Sequence, residues 1–293
     1  WVRGRDVSDP GVLAELAQRH GLPADAHLDP ALREGLRVAT AEAAARGAFG
    51  VPSFVVGERL WWGQDRLPLV EEALGGRPPV APPSSSVPEA TRLTFFHDFA
   101  SPFSYLAATQ IERIAAPRGV AVEHAPILLG ALFREIGTPD VPLFEMSPTK
   151  QAYVQRDLED WAAWWGVPFR FPAHFPLRSV LPLRVALLQP AATSAIYRAA
   201  WAEDRRVDEP QGLGAVLEEA GLPAAELLAR AGEAEAKAGL RASTERARAL
   251  GVIGVPTMLL ERGERSALVW GQDRLEQVEA ILDGWWPPDD VAV

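Results

Sequence analysis

The chain has 293 residues, a formal net charge of -10 and 48% hydrophobic content, the balance of a soluble globular protein with one large domain or two ordinary ones. That charge argues against nucleic acid, whose phosphates draw concentrated Lys and Arg, and no apolar run approaches the roughly 20 residues that cross a bilayer. Cysteine is absent, which removes disulfides, thiolate metal sites and protein-based thiol-disulfide exchange together. His20, His27, His97, His124 and His174 show no ligand-like spacing, so no metal site is expected. No signal peptide opens the sequence, and a cytoplasmic location is the expectation.

Taken in chain order, the sequence repeats itself. WVRGRDVSDP at Trp1–Pro10 resembles WAEDRRVDEP at Trp201–Pro210, and Gly-Leu-Pro follows both, at Gly21 and Gly221. Gly50-Val51-Pro52-Ser53 then matches Gly254-Val255-Pro256-Thr257, and Trp62-Gly63-Gln64-Asp65-Arg66-Leu67 recurs unchanged as Trp270-Gly271-Gln272-Asp273-Arg274-Leu275. Residues 1–74 therefore read as the second half of a module, an incomplete copy. Between the copies, residues 75–91 (GGRPPVAPPSSSVPEAT) are rich in Pro, Gly and Ser and read as an extended linker. The complete copy spans residues 92–286, followed by a tail at 287–293.

Within it, Arg92–Asp98 is a β-rich apolar run. Ser101-Pro102 suits a helix start, Ser as N-cap and Pro in the first helical position, with the helix running to about Pro117. Val120–Ala125 is a second strand, and strand–helix–strand in this length implies a parallel βαβ unit. A mostly helical stretch follows to Leu250, with apolar residues at helical spacing in Tyr153–Trp165 and Leu181–Trp201. Thr257–Glu261 and Ala267–Trp270 form a hairpin around ERGERS, and Gln272–Leu282 closes the unit as a helix. The order is α/β: a thioredoxin-like fold with an all-α domain inserted, at about 130–250, between its βαβ and ββα halves.

Ser101-Pro102-Phe103-Ser104 stands where redox-active thioredoxin folds carry Cys-x-x-Cys at a helix N-terminus. Taken alone, Ser101 is only an N-cap. In that slot, a helix N-terminus and a hydroxyl donor without a protein thiol suit an external thiolate, for which glutathione is the obvious source. Gly254-Val255-Pro256-Thr257 is either an ordinary turn or the proline loop that faces this helix, with Val255 pairing an extended peptide as an added strand would. The acid of Trp270-Gly271-Gln272-Asp273 fits a helix start and equally the α-amino group of a γ-glutamyl moiety. The N–H groups of Gly271 and Gln272 would take the adjoining carboxylate.

FFHDFASPFSYLA, IGVPT and WGQDRL, in this order and spacing, resemble the superfamily of 2-hydroxychromene-2-carboxylate isomerases and kappa-class glutathione transferases, which share a DsbA-like thioredoxin fold. Ala125–Gly137 and Lys150–Ala162 extend the likeness over nearly all of 92–286, and WGxDR favours the isomerase branch. The resemblance implies glutathione as cofactor, Ser101 at its sulfur as the catalytic residue, and Val255, Pro256, Trp270, Gly271, Gln272 and Asp273 as its contacts. It implies a glutathione-dependent cis–trans isomerase of aromatic catabolism, acting on an unsaturated aromatic carboxylate. The alternatives are a kappa-like transferase that conjugates electrophiles and a non-catalytic binding module. Arg178-Ser179 departs from the family's Asn-Ser or Asn-Thr pair, and Arg134, Lys150, His174, Phe175 and Arg178 are the substrate-side candidates. Trp61, Trp62, Trp161, Trp164, Trp165 and Trp270 read first as core. Relatives of this kind imply a homodimer or a pseudo-dimer between the repeats, and the incomplete copy, lacking a counterpart of Ser101, is expected not to catalyse alone.

Overall fold

Asp9 and Asp29 each precede a proline, and each starts a helix. In the computed structural model, which describes residues 4–76 and 91–287, the Asp9 carboxylate accepts from the N–H groups of Gly11 and Val12, opening α1 (Pro10–Arg19). Asp29 accepts from Ala31 N–H and opens α2 (Pro30–Ala45). Both are acid N-caps with Pro in the first helical position. A two-stranded antiparallel hairpin follows, β1 (Ser53–Val56) and β2 (Arg59–Trp62), in which Ser53 pairs with Trp62 and Val56 with Arg59. Gly57, at φ 61°, supplies the left-handed turn residue. These elements belong to the first of two compact units, 1–64; the second is 65–293. Most of the 75–91 linker and of the 287–293 tail lies outside the described residues.

The second unit begins with α3 (Leu67–Ala73). β3 (Arg92–His97), α4 (Pro102–Ala115) and β4 (Val122–Pro126) form the expected βαβ unit, with β3 and β4 parallel from Leu93 opposite Val122 to His97 opposite Pro126. Then come α5 (Leu129–Ile136), α6 (Pro148–Trp165), α7 (Val180–Leu188), α8 (Thr193–Trp201), α9 (Pro210–Glu219), α10 (Ala224–Ala231) and α11 (Ala234–Ala249). β5 (Thr257–Arg262), β6 (Arg265–Trp270) and α12 (Leu275–Leu282) complete the chain. The sheet order is β4-β3-β5-β6, with β5 antiparallel to both neighbours. This is a thioredoxin-like, DsbA-type α/β fold in which helices α5 to α11 separate the βαβ and ββα halves.

Two elements differ from the sequence expectation. Leu181–Trp201 is two helices, because Pro190 withholds an N–H and Gln189 before it sits at φ -142°, ψ 83°. The hairpin turn is Gly263-Glu264 alone, since Arg262 and Arg265 pair as the last rung. The core on one sheet face joins Leu93, Phe95, Ile111, Met258, Leu260, Val269, Val278 and Ile281. Phe96, Ile127, Leu132, Val255 and Leu259 fill the other. Truncating a ring as enclosed as Phe95, which has no exposed surface, costs about 3–5 kcal/mol.

Candidate active site

Ser101 is the N-cap of α4, extended at φ -100°, ψ 117°, and its Oγ accepts from Ser104 N–H at 3.2 Å. The same hydroxyl donates to the carbonyl of Val255 at 3.3 Å. The Val255–Pro256 bond is cis, and the hydrogen bond from Ser101 sets the proline loop against the α4 N-terminus. Pro256 carbonyl in turn accepts from Gly271 N–H at 3.0 Å, and Thr257 Oγ1 donates to Gly254 carbonyl at 2.7 Å. Gly254 lies tight against Trp270: a Cβ there would come within 3.0 Å of Trp270 Nε1, so the ring would have to give. One hydrogen-bonded chain thus gathers Ser101, Val255, Pro256 and Trp270–Asp273. The expectation that Gly271 offers a free N–H is corrected, because Pro256 takes it. Gln272 is buried, and its side-chain Nε2 is an amide donor without a partner among the described residues.

Asp273 sits in a cluster that sequence reasoning missed. Arg66 Nε and Nη2 make a bidentate pair with Asp157, at 2.9 and 2.7 Å. Its Nη1 reaches Asp65 at 2.9 Å and also bonds Asp273. The guanidinium lies 5.7 Å over the Trp161 ring, and Tyr153 hydroxyl donates to Asp157 at 3.3 Å. Three carboxylates therefore share one cation in a largely buried setting. Desolvation raises the Asp273 pKa and the neighbouring Asp65 charge adds to the rise, while Arg66 opposes it. For Arg66 the partner carboxylates outweigh burial, and its guanidinium pKa is raised further. Arg66 lies inside the recurring WGQDRL motif, so its recurrence could have flagged it. Asp157 carries no signal beyond an acid on the buried face of α6.

Behind Ser101 lies a buried polar frame. Asp98, 1% exposed, accepts from Ala100 N–H at 2.9 Å and Leu129 N–H at 2.8 Å, and receives Ser179's hydroxyl as well. It ties the Ser101 loop to the starts of α5 and α7. Burial raises its pKa against the pull of those donors. Tyr197 hydroxyl donates to Asp98 carbonyl at 3.2 Å and lies 3.1 Å from His97 Nδ1. Desolvation first, then His124, holds His97 down at about 3, so its imidazole is neutral at physiological pH.

The substrate-side candidates scatter. Arg134 and Arg178 are exposed, Arg134 Nε donating to Gly130 carbonyl at 3.1 Å. Lys150 is half-buried in the first turn of α6, where its N–H bonds the Ser147 cap at 3.4 Å. His174 faces Asp204 at 3.5 Å and Asp208 at 3.9 Å, an acidic rather than anion-binding setting. Phe175 joins a ring cluster with Phe171, Phe144 and Trp201 at centroid distances of 4.9, 6.0 and 6.3 Å. Trp201 Nε1 donates to Phe99 carbonyl at 2.8 Å, connecting that cluster to the Ser101 loop. Phe171 also lines a cavity of about 330 Å³ with Leu143, Pro148, Ala152 and the amides of Gln151 and Gln155. Trp161 is buried and packs 4.9 Å from Trp165.

The family described as DSBA-like thioredoxin domain matches residues 1–75 and 92–283. The 2-hydroxychromene-2-carboxylate isomerase of Sphingobium xenophagum is 29% identical over 194 residues, covering 65% of this chain and 97% of that protein. Glutathione S-transferase kappa 2 of Caenorhabditis elegans is 27% identical over 212 residues, covering 67% and 93%. Among solved structures, a 2-hydroxychromene-2-carboxylate isomerase superposes with a TM-score of 0.56 at 28% identity, covering 65% of this chain and 93% of that one.

Proposed function

Because the chain belongs to the DsbA-like thioredoxin-domain family, we propose that the site around Ser101, Val255 and Asp273 holds glutathione and that the protein is a glutathione-dependent isomerase. The observation that carries this reading is the placement of a Ser hydroxyl, a helix N-terminus and the carbonyl of Val255 around one point in a chain without cysteine. The cluster at Asp273 fits the other end of the ligand. Three carboxylates against one guanidinium leave room for a second cation, which the γ-glutamyl ammonium provides. The unpartnered Gln272 amide suits its carboxylate.

When bound, glutathione would supply a nucleophilic sulfur for reversible addition to a conjugated double bond. The chain's residues prepare that sulfur. Ser101 turns its hydroxyl from Val255 carbonyl to the thiolate, and the α4 N-terminus adds its partial positive charge; both favour the charged form. Val255 presents its backbone to the cysteinyl segment as a strand edge does. Asp98 fixes the loop on which Ser101 rides.

A kappa-like transferase is the second reading, favoured by the cavity beside Phe171. Its lining is apolar side chains and two amides without a Lys or Arg, which suits a neutral aromatic electrophile better than a carboxylate. Calorimetric titration of reduced glutathione into the full chain tests the shared premise, with Ser101→Ala and Asp273→Asn as variants. Saturable binding in the wild type, weakened in Asp273→Asn, is the expected result. In Ser101→Ala the ultraviolet thiolate absorbance of the bound thiol should move to higher pH. A folded chain that takes up no glutathione at millimolar concentration sinks the reading. Turnover of a chromene carboxylate with recovery of free glutathione then marks the isomerase, and a stable conjugate the transferase.

A further inference from the structure

Helix α2 of the first unit and helix α11 of the second carry the same pattern of residues on one face, yet only one face is covered. With Gly50-Val51-Pro52 laid on Gly254-Val255-Pro256, Leu32, Leu36, Thr40 and Ala43 stand in register with Ala236, Leu240, Thr244 and Ala247. The local geometry follows the same register. Thr40 Oγ1 donates to Leu36 carbonyl at 2.8 Å, as Thr244 Oγ1 donates to Leu240 carbonyl at 2.9 Å. Gly47 and Gly251 end the two helices at φ 88° and 86°. Val51–Pro52 is cis like Val255–Pro256, and Gly63 N–H reaches Pro52 carbonyl at 3.0 Å as Gly271 N–H reaches that of Pro256.

Burial does not follow. Ala236 and Leu240 are 2% and 4% exposed, whereas Leu32 and Leu36 are 57% and 70% exposed. Val255 is 6% exposed and Val51 90%. What covers the second-unit face is known. α11 packs on α5, α7 and β4, Ala247 sits with Phe96, Ala125, Ile127 and Leu132, and Thr244 Oγ1 accepts from Leu128 N–H at 3.0 Å. The strand beside it tells the same story. β5 pairs with β3 on its outer edge as well as with β6, whereas β1 pairs with β2 alone among the described residues. One contiguous piece, Arg92–Trp201, supplies β3 to the paired edge and β4, α5 and α7 to the covered helix in the second unit.

We propose that the α2 face and the outer edge of β1 are a docking surface for such a piece: a half-module of this family, built like Arg92–Trp201. Its first strand would add to the edge of Ser53–Val56, and the backbone before its α5 counterpart would donate an N–H to Thr40 Oγ1. The chain's own Arg92–Trp201 piece is committed elsewhere, with β3 hydrogen-bonded on both sides, so a second copy of this chain does not fit the surface. An unpaired strand edge beside an exposed apolar helix face is the kind of surface that folded proteins cover.

The test measures amide hydrogen exchange in the full chain and in the same chain with Arg92–Ala200 fused ahead of Trp1, so that Trp1 takes the place of Trp201. In the unfused chain the α2 amides should exchange at least about tenfold faster than those of α11, as weakly packed elements do. In the fusion, α2 and β1 should slow by about tenfold or more, and Leu36→Glu should reverse that slowing while α11 keeps its protection. Protection of α2 equal to that of α11 in the unfused chain would overturn the proposal. So would a fusion with α11 protected and α2 unchanged, or an unfused dimer in sedimentation that Leu36→Glu dissociates, which would make a second copy the occupant. None of these readouts uses glutathione, so the outcome is independent of the proposed activity.

Discussion

Replacing Arg66 with Met is the sharpest test of the buried charge cluster. The guanidinium side chain is 10% exposed, and Asp157 is 3% exposed. Removing the cation leaves Asp65, Asp157 and Asp273 facing one another without compensation. Breaking a buried pair in this way costs about 3–5 kcal/mol. At about 2–4 °C per kcal/mol for a unit of this size, Tm should fall by roughly 6–20 °C in a circular-dichroism melt. The sign with pH follows from which state binds protons. Without Arg66 nothing opposes the rise that desolvation and the Asp65 charge impose on the Asp273 pKa, so the folded state binds a proton there more readily than the unfolded chain does. Stability of Arg66→Met should therefore rise as pH falls through the raised Asp273 value toward that of an ordinary aspartate, and be lost as pH rises through the raised value. Arg66→Met combined with Asp157→Leu should recover part of the loss, because an apolar pair of similar volume avoids desolvating ions. A loss in the single variant below about 1 kcal/mol, as for exposed ion pairs, would refute the claim that the cluster is buried and coupled.

Two further outcomes are expected. Glutathione affinity should fall as pH drops through the raised native pKa of Asp273, at a higher pH than an ordinary aspartate would give, because the ammonium pairs only with the ionised form; a calorimetric pH series reads this, and Asp273→Asn should flatten it. Gly271→Ala would bring a Cβ to 2.4 Å from Asp273 Oδ1 at φ 108°, so it should cost about 1–3 kcal/mol in a denaturant titration through backbone strain and weaken glutathione binding.

The βαβ–helical–ββα order was legible because each signal is local. Arg92–His97 alternates apolar and β-favouring residues, Ser101-Pro102 marks a helix start, and the recurring Gly-Val-Pro and WGQDRL segments fix the hairpin between them. The gathering of Ser101, Val255 and Asp273 was legible through the family pattern. The rest was not local. Arg66 meets its partners across 91 and 207 positions of chain, and a single long-range ion pair leaves no periodicity behind. The frame at Asp98 depends on where Leu129 and Ser179 fall after a helical insertion has folded. Arg134, Lys150 and Arg178 are marked out by charge and by nearness to family positions, and neither encodes the direction of a side chain.

The position of Arg66 bears on how such a chain changes over generations. Its guanidinium neutralises Asp157 and Asp273, so a deletion that removed Asp65–Ala73 would strand two buried carboxylates in the remaining unit. Loss of the segment would carry that liability whatever the segment's own chemistry. Escape requires an uncharged replacement at Asp157 first, as a charge-removing intermediate through which shortening of the chain becomes tolerable. Dependence of this kind works as a ratchet, in which each buried ion pair makes a neighbouring segment harder to lose.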